Sequence, residues 1–304
     1  MTIRPEPARA ALFAALLLPA LLAPPAAAAS LEAKLYVVTD WTLGNFGIPD
    51  WCSGTNVEDW AEMLDGWYYA VDDFGAVSLD GRWHNGLLNR GLFCDPDTGL
   101  PGCTDYDRID EADVAMIGFH GGDSNGHWRG SMAYSGGAAG GDCGIDVPES
   151  GSGEMYVGDA DLEFLHLSSC HSMDDDNLFN VWRMFEDPVD SPKSKRRLHL
   201  ATGFHGIMWI SSGRDDDYES FAWAAHVGIS EAWLDNLWDY DVGDGDWEQC
   251  PVAYAIGSGE SDCLSRLSNE SYFNVIGPDP AISYHCAAGF SGCHPKNDDP
   301  FNIP

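Results

Sequence analysis

The sequence predicts an α/β protein with a mostly parallel central sheet and helices on both faces. Three observations lead there. Short apolar segments alternate with amphipathic helical ones, the order that builds parallel strands joined by covering helices. The segments "DVAMIGFHGG" and "LEFLHLSSC" are continuously apolar rather than alternating, as strands buried on both faces are. With 44% hydrophobic residues and 12 Trp in 304, the chain has the apolar surface for a large core.

The elements follow in order. "KLYVVTDW" (34–41) is β-branched and aromatic, hence a strand. In "NVEDWAEMLDGWYYAV", Val57, Trp60, Leu64, Trp67, Tyr68 and Val71 recur at helical spacing, with Asn56 placed to cap the start. "FGAVSL" (74–79) is a second strand and "DVAMIGFHGG" (113–122) a third. Residues 121–153 are rich in Gly and Ser without clear periodicity, so a long covering or functional loop is expected. "LEFLHLSSC" (162–170) is the next strand, and "DDDNLFNVWRMFED" a helix with acids in its first turn. "LHLATGFHGIMWI" (198–210) is a strand region. "YESFAWAAH" is a helix stopped by Gly228, and "ISEAWLDNLWDY" restarts it with Ser230 as cap. "PVAYAIGSG" (251–259) is the last expected strand, followed by a Pro- and Cys-bearing tail.

The chain opens with Arg4 and Arg9, an apolar run from Ala10 to Leu22, and the small-residue stretch "APPAAAAS". That is the pattern of a signal peptide over residues 1–29, so a secreted or periplasmic product beginning near Ser30 is expected. No later apolar run is long enough to span a bilayer, so no membrane association is expected after cleavage. The mature part divides into an α/β domain over 30–258 and an extension over 259–304 packed on the same domain. The formal net charge of −34, from 15 basic and 49 acidic residues, argues against nucleic acid or an anionic membrane as partner. A solvated surface explains it. "DDD" at 174–176 and at 215–217 lacks the spacing of a calcium loop.

Export gives meaning to the nine cysteines, because exported thiols tend to pair. Three short segments holding Gly or Pro suggest loops closed by Cys94–Cys103, Cys250–Cys263 and Cys286–Cys293. Cys52 and Cys143 then pair by elimination, and Cys170 is left free.

In a largely parallel sheet, sites form beyond the carboxyl ends of the strands. His120 and Cys170 each end a buried apolar strand. Neighbouring strands would bring them to one edge, where an imidazole takes the thiol proton and returns it to a leaving amine. A nearby imidazolium is expected to raise the thiolate fraction. The N–H groups of Gly121, Gly122 and Cys170 are the expected oxyanion donors. Asp215, Asp216 and Asp217, just after a strand, are weak candidates for binding a basic substrate side chain. His205, in "TGFHGIMW", is a lesser candidate for the base. His127 and His166 are expected to be structural or exposed.

An apolar strand ending His-Gly in "AMIGFHGG", followed about fifty residues later by "FLHLSSCHS", resembles the caspase-like cysteine peptidases, the clan of caspases, legumains, gingipains and separase. The resemblance implies a three-layer sandwich, His120 as catalytic histidine, Cys170 as nucleophile, a peptide or protein substrate, and no cofactor. The caspase "QAC-G" pentapeptide is replaced by "SSCHS", so a preference for Asp does not carry over. The chain as a whole is also similar to an exported bacterial family known only as a domain of unknown function. Two other classes stay open. One is a catalytically silent binding protein on the same scaffold. The other is a metal protein using His120, His127, Cys170 and His171, although their spacing matches no tight zinc pattern.

Overall fold

The structure is a computed structural model that describes residues 31–302, apart from 75–76, 97–98, 100, 125, 136–141, 148–154, 159, 177, 179–197, 243–244 and 279–283. The expected signal peptide therefore lies outside the described residues.

Strand β1 (Leu31–Val37) sits near one side of the main sheet, with β2 (Val77–His84) and β3 (Val114–Gly118) as its parallel neighbours. Beyond β3 come β7 (Phe164–Ser168) and β8 (Leu200–His205), also parallel. The sheet then changes sense. β10 (Trp247–Gly257) pairs antiparallel with β8, with the short β9 (Asp239–Val242) and with β11 (Tyr284–Gly289). The result is a mixed, mostly parallel eight-stranded sheet.

Side chains alternate across this sheet, so each strand feeds two cores. Leu35, Met116, Phe164 and Leu200 face a core built with α1 (Asp59–Asp73), α2 (Asp215–Ala225) and α3 (Ile229–Leu237), whose Trp60, Trp67, Phe221 and Trp233 fill it. Helix α4 (Glu260–Asn269) packs Cys263 and Leu267 against Ala253 and Ala255 of β10. Tyr36, Ile117, Leu165, Leu167 and Tyr254 point to the opposite core, closed by Phe93, Trp128 and Phe301. Leu178, from the stretch expected to form a helix after Cys170, packs there as well. Residues 179–187 of that expected helix lie outside the described residues.

Several local expectations give way. Residues 121–146 include a three-stranded antiparallel sheet in place of a loop: β4 (Gly121–Asp123), β5 (Trp128–Ser131) and β6 (Gly144–Asp146). Its glycine-rich strands carry little apolar periodicity, and Cys52–Cys143 with the Arg129 ion pairs to Asp142 and Asp146 hold it. Asn56 does not cap α1. It accepts the Trp41 N–H at 2.8 Å, and the helix begins after Glu58 with no side-chain cap. Gly228, in extended conformation, precedes α3 where Ser230 was expected to cap; Ser230 is buried in the first turn. The chain beyond β10 forms α4 and the edge strand β11.

Cys94–Cys103 and Cys52–Cys143 are bonded as expected and Cys170 is free, but the other two bridges exchange partners, as Cys250–Cys293 and Cys263–Cys286. The reason is geometric. Between Cys250 and Cys263 the chain runs extended to Gly257, and at about 3.3 Å per residue this carries the two cysteines far apart. Cys250 and Cys293 also belong to the core opposite the helices, whereas Cys263 and Cys286 meet under α4.

Candidate active site

Strand order places the site. From β1 the chain goes to β2 on one side, then returns to β3 on the other, so the carboxyl ends of β1 and β3 flank the reversal point where open α/β sheets form crevices. His120 follows β3 at this point. Trp41, just past β1, lies under its ring at 4.7 Å between centroids, and Trp60 of α1 meets it edge-on at 5.5 Å.

The His120 Nε2 lies 2.8 Å from the Thr55 carbonyl oxygen. A carbonyl only accepts, so Nε2 carries the hydrogen, and in the neutral ring Nδ1 is left with its lone pair. The Thr55 carbonyl thus fixes the orientation of the ring and its tautomer.

Cys170 approaches from the next strand. The β3–β7 register ends on Gly118 paired with Ser168, so His120 and Cys170 each stand two residues beyond a paired strand end. Three hydrogen bonds fix this junction. Ser169 Oγ donates to the Phe119 carbonyl at 2.8 Å, the Trp128 indole N–H donates to Ser169 Oγ at 3.2 Å, and Ser168 Oγ lies 2.7 Å from the Tyr218 hydroxyl. Beyond Cys170, Ser172 Oγ accepts the Phe204 N–H and donates to the Ser169 carbonyl, closing the turn.

The thiol itself is half-buried and lies 3.7 Å from the Met208 carbonyl. Burial pushes it above the usual thiol range, and the Asp174 carboxylate adds to that push. This direction runs against the expected rise in thiolate fraction.

The expected oxyanion donors divide. Ser131 N–H bonds to His120 O, and Ser124 N–H to His127 O, so in this antiparallel ladder residues 120, 122 and 124 turn their polar groups toward β5. Gly122 N–H is therefore directed into the ladder, while Gly121 N–H is directed away from it. A pocket of about 350 Å3 opens on the His120 side, lined by His120, Gly121, Gly122, Arg129 and Cys143 among others but not by Cys170. Sequence reasoning missed Thr55, whose backbone oxygen carries no sequence signal, and Arg129, whose two carboxylate partners come from a strand and a loop that were not foreseen.

The remaining candidates lie elsewhere. Asp215, Asp216 and Asp217 form the first turn of α2, where carboxylates favour the helix end, and Asp217 pairs with Arg214 at 3.2 Å. His166 is fully buried between β8 and the helices, with Nδ1 2.8 Å from Thr202 Oγ1 and Nε2 2.9 Å from the Tyr272 hydroxyl. His127 is buried on β5's approach, 4.0 Å from Asp146. His205 is buried, with Nε2 on the Asp299 carbonyl at 2.7 Å. The groups gathered closely around His171 are Asp174 and Asp298, not His120, His127 and Cys170.

The fold and site define the class: an α/β protein with a mixed, mostly parallel sheet, four disulfides, and a free cysteine and a histidine on adjoining strand ends. The chain belongs to the family described as a domain of unknown function, DUF6345, which matches residues 92–286 and so includes both strand ends. No curated protein and no solved structure matches it.

Proposed function

We propose that the protein is an exported caspase-like cysteine endopeptidase with His120 and Cys170 as its dyad. The observation that supports this reading is that the free cysteine and a carbonyl-anchored histidine each follow the carboxyl end of one of two paired parallel strands. Four disulfides support export, and intact-mass analysis of secreted protein tests it: a mature N-terminus between Ala27 and Leu31 is expected.

The chemistry follows from the groups present. His120 Nδ1 takes the thiol proton as the sulfur attacks the scissile carbonyl carbon. The C=O electron pair moves onto oxygen, beside the N–H groups of Gly121 and Cys170. As the C–N bond breaks, the imidazolium returns the proton to the leaving amine. Water then hydrolyses the thioester with His120 again as base.

The raised thiol favours a second reading, a binding protein that keeps the scaffold without catalysis. One experiment separates them. The secreted protein is screened against a peptide library and treated with a peptidyl electrophile that reports active-site thiols, followed by peptide mapping. Peptidase activity is expected, with the label on Cys170. Cys170→Ala abolishes it, and His120→Ala reduces it by about 10²–10⁴-fold. His226→Ala, at an exposed histidine just past α2, leaves it near wild type. If no peptide is cleaved and Cys170 reacts with peptidyl and plain alkylating agents alike, the binding-protein reading replaces the peptidase.

A further inference from the structure

The turn after Cys170 is bound to the chain end of β8 by unusual backbone. His171 has φ +57°, the left-handed region that a non-glycine residue rarely enters. Its N–H bonds to the Gly206 carbonyl at 2.7 Å, and the Gly206 N–H bonds back to Asp174 Oδ1 at 2.7 Å. These ties aim His171 Nδ1 at Asp174 Oδ2, 2.8 Å away, and at Asp298 Oδ2 from the C-terminal segment, 3.4 Å away. The three donor atoms all lie within 4.8 Å of one another.

His205 stands behind them, with no exposed side-chain surface. Its Nε2–H donates to the Asp299 carbonyl, so in the neutral ring the Nδ1 lone pair faces inward, 3.6 Å from Asp174 Oδ1 and 3.9 Å from Asp298 Oδ2. Among the described residues, the hydrogen bond to that nitrogen comes from the Asp175 N–H, at a long 3.4 Å. Two carboxylates and an imidazole lone pair therefore converge.

We propose that His171, Asp174 and Asp298, with His205 beside them, bind a divalent cation of the zinc class and so clip the C-terminal segment to the turn that follows Cys170. The donor set decides the class. Imidazole with carboxylate suits zinc and its neighbours, whereas calcium and magnesium take oxygen alone. The surroundings are those of a supported site: Asp174 is oriented by a backbone N–H and His205 by a backbone carbonyl. The segment carrying Asp298 is already seated there, with Pro295 against Gly206 and Phe301 packed on the His205 ring at 5.1 Å. A bound ion would join this segment to β7 and stiffen both. The proposal stands whether or not Cys170 is catalytic.

The test uses untagged, oxidised full-length protein freed of metal by a chelator. It is titrated calorimetrically with Zn2+, Ca2+ and Mg2+ separately, and its thermal melt is followed with each. One equivalent of Zn2+ is expected to bind and to raise Tm, with Ca2+ and Mg2+ far weaker. His171→Ala and Asp298→Asn should each weaken zinc by about tenfold or more, with the far-ultraviolet dichroism of native protein. Asp161→Asn, in a separate acidic group, should not. If Asp298→Asn fails to fold, the half-buried His171→Ala variant decides. Absence of zinc binding at micromolar concentration, or binding unchanged in His171→Ala, overturns the proposal.

Discussion

Gly121 is pressed against Cys170: a Cβ built on the glycine would overlap the Cys170 carbonyl oxygen, the Ser169 hydroxyl and the Trp128 indole nitrogen. Hydrogen replaces a side chain here because two strand ends and β5 meet at one point. Gly121→Ala must therefore push the β3 and β7 ends apart, at a cost of about 1–3 kcal/mol for overpacking. Gly122, one residue on, has nothing within 4 Å of the same position and serves as the control. Urea unfolding of both variants should show a lowered midpoint for Gly121→Ala and little change for Gly122→Ala. Equal effects would mean that the junction tolerates separation and does not set the spacing of His120 and Cys170.

His166 should make the fold sensitive to acid. Burial lowers its pKa to about 3, so it stays neutral in the folded core, while the unfolded chain takes up a proton below about 6.5. The unfolded state then binds more protons, and stability falls as pH drops from about 6.5 toward 3. At about 1.4 kcal/mol per pKa unit, the loss from this group at pH 5 is about 2 kcal/mol. His171 acts in the opposite sense. Asp174 raises its pKa, so its contribution is full at low pH and is lost as pH rises through the raised value. His171 is common to the wild type and a His166→Gln variant, so their difference isolates His166. Denaturant unfolding at pH 7 and pH 5 should show a stability loss about 2 kcal/mol smaller in the variant. Parallel losses would mean that His166 is protonated in the folded protein.

What the sequence made legible is what local pattern encodes. β3 and β7 are continuous apolar runs, and the free cysteine follows from an odd count with eight partners. That the strands preceding His120 and Cys170 are parallel neighbours follows from their apolar runs once the sheet is parallel. The missing parts depend on contacts distant in sequence. β11, "YHCAAG", is an edge strand with no fully buried residue, so it carries no hydrophobic signal. β4, β5 and β6 are short, and are held by a disulfide spanning 91 residues and by ion pairs. The exchange of two bridges depends on which face of β10 each cysteine reaches. The raised pKa of the Cys170 thiol depends on its burial, and Met208, whose carbonyl lies 3.7 Å from the sulfur, arrives from beyond β8.

The Cys52–Cys143 bridge should matter to both stability and site. Loop-closure entropy grows with the length of chain enclosed, so its 91-residue separation gives about 4–5 kcal/mol, against about 2–3 kcal/mol for Cys94–Cys103 with a separation of 9. Position adds a second consequence. Cys52 lies three residues before Thr55, whose carbonyl holds the His120 ring, and its N–H bonds to the Ala133 carbonyl between β5 and β6. Cys143 lines the pocket beside His120 and directly precedes β6. Replacing both cysteines by Ala therefore frees the segment that orients the imidazole as well as the small sheet beside it. The double variant should unfold at lower urea than the Cys94/Cys103 double variant. It should also show a shifted, broadened His120 ring resonance in native protein, and any Cys170-dependent activity should fall with it. Reduced stability with an unchanged His120 signal would confine the bridge to a structural role and leave the Thr55 anchor independent of it.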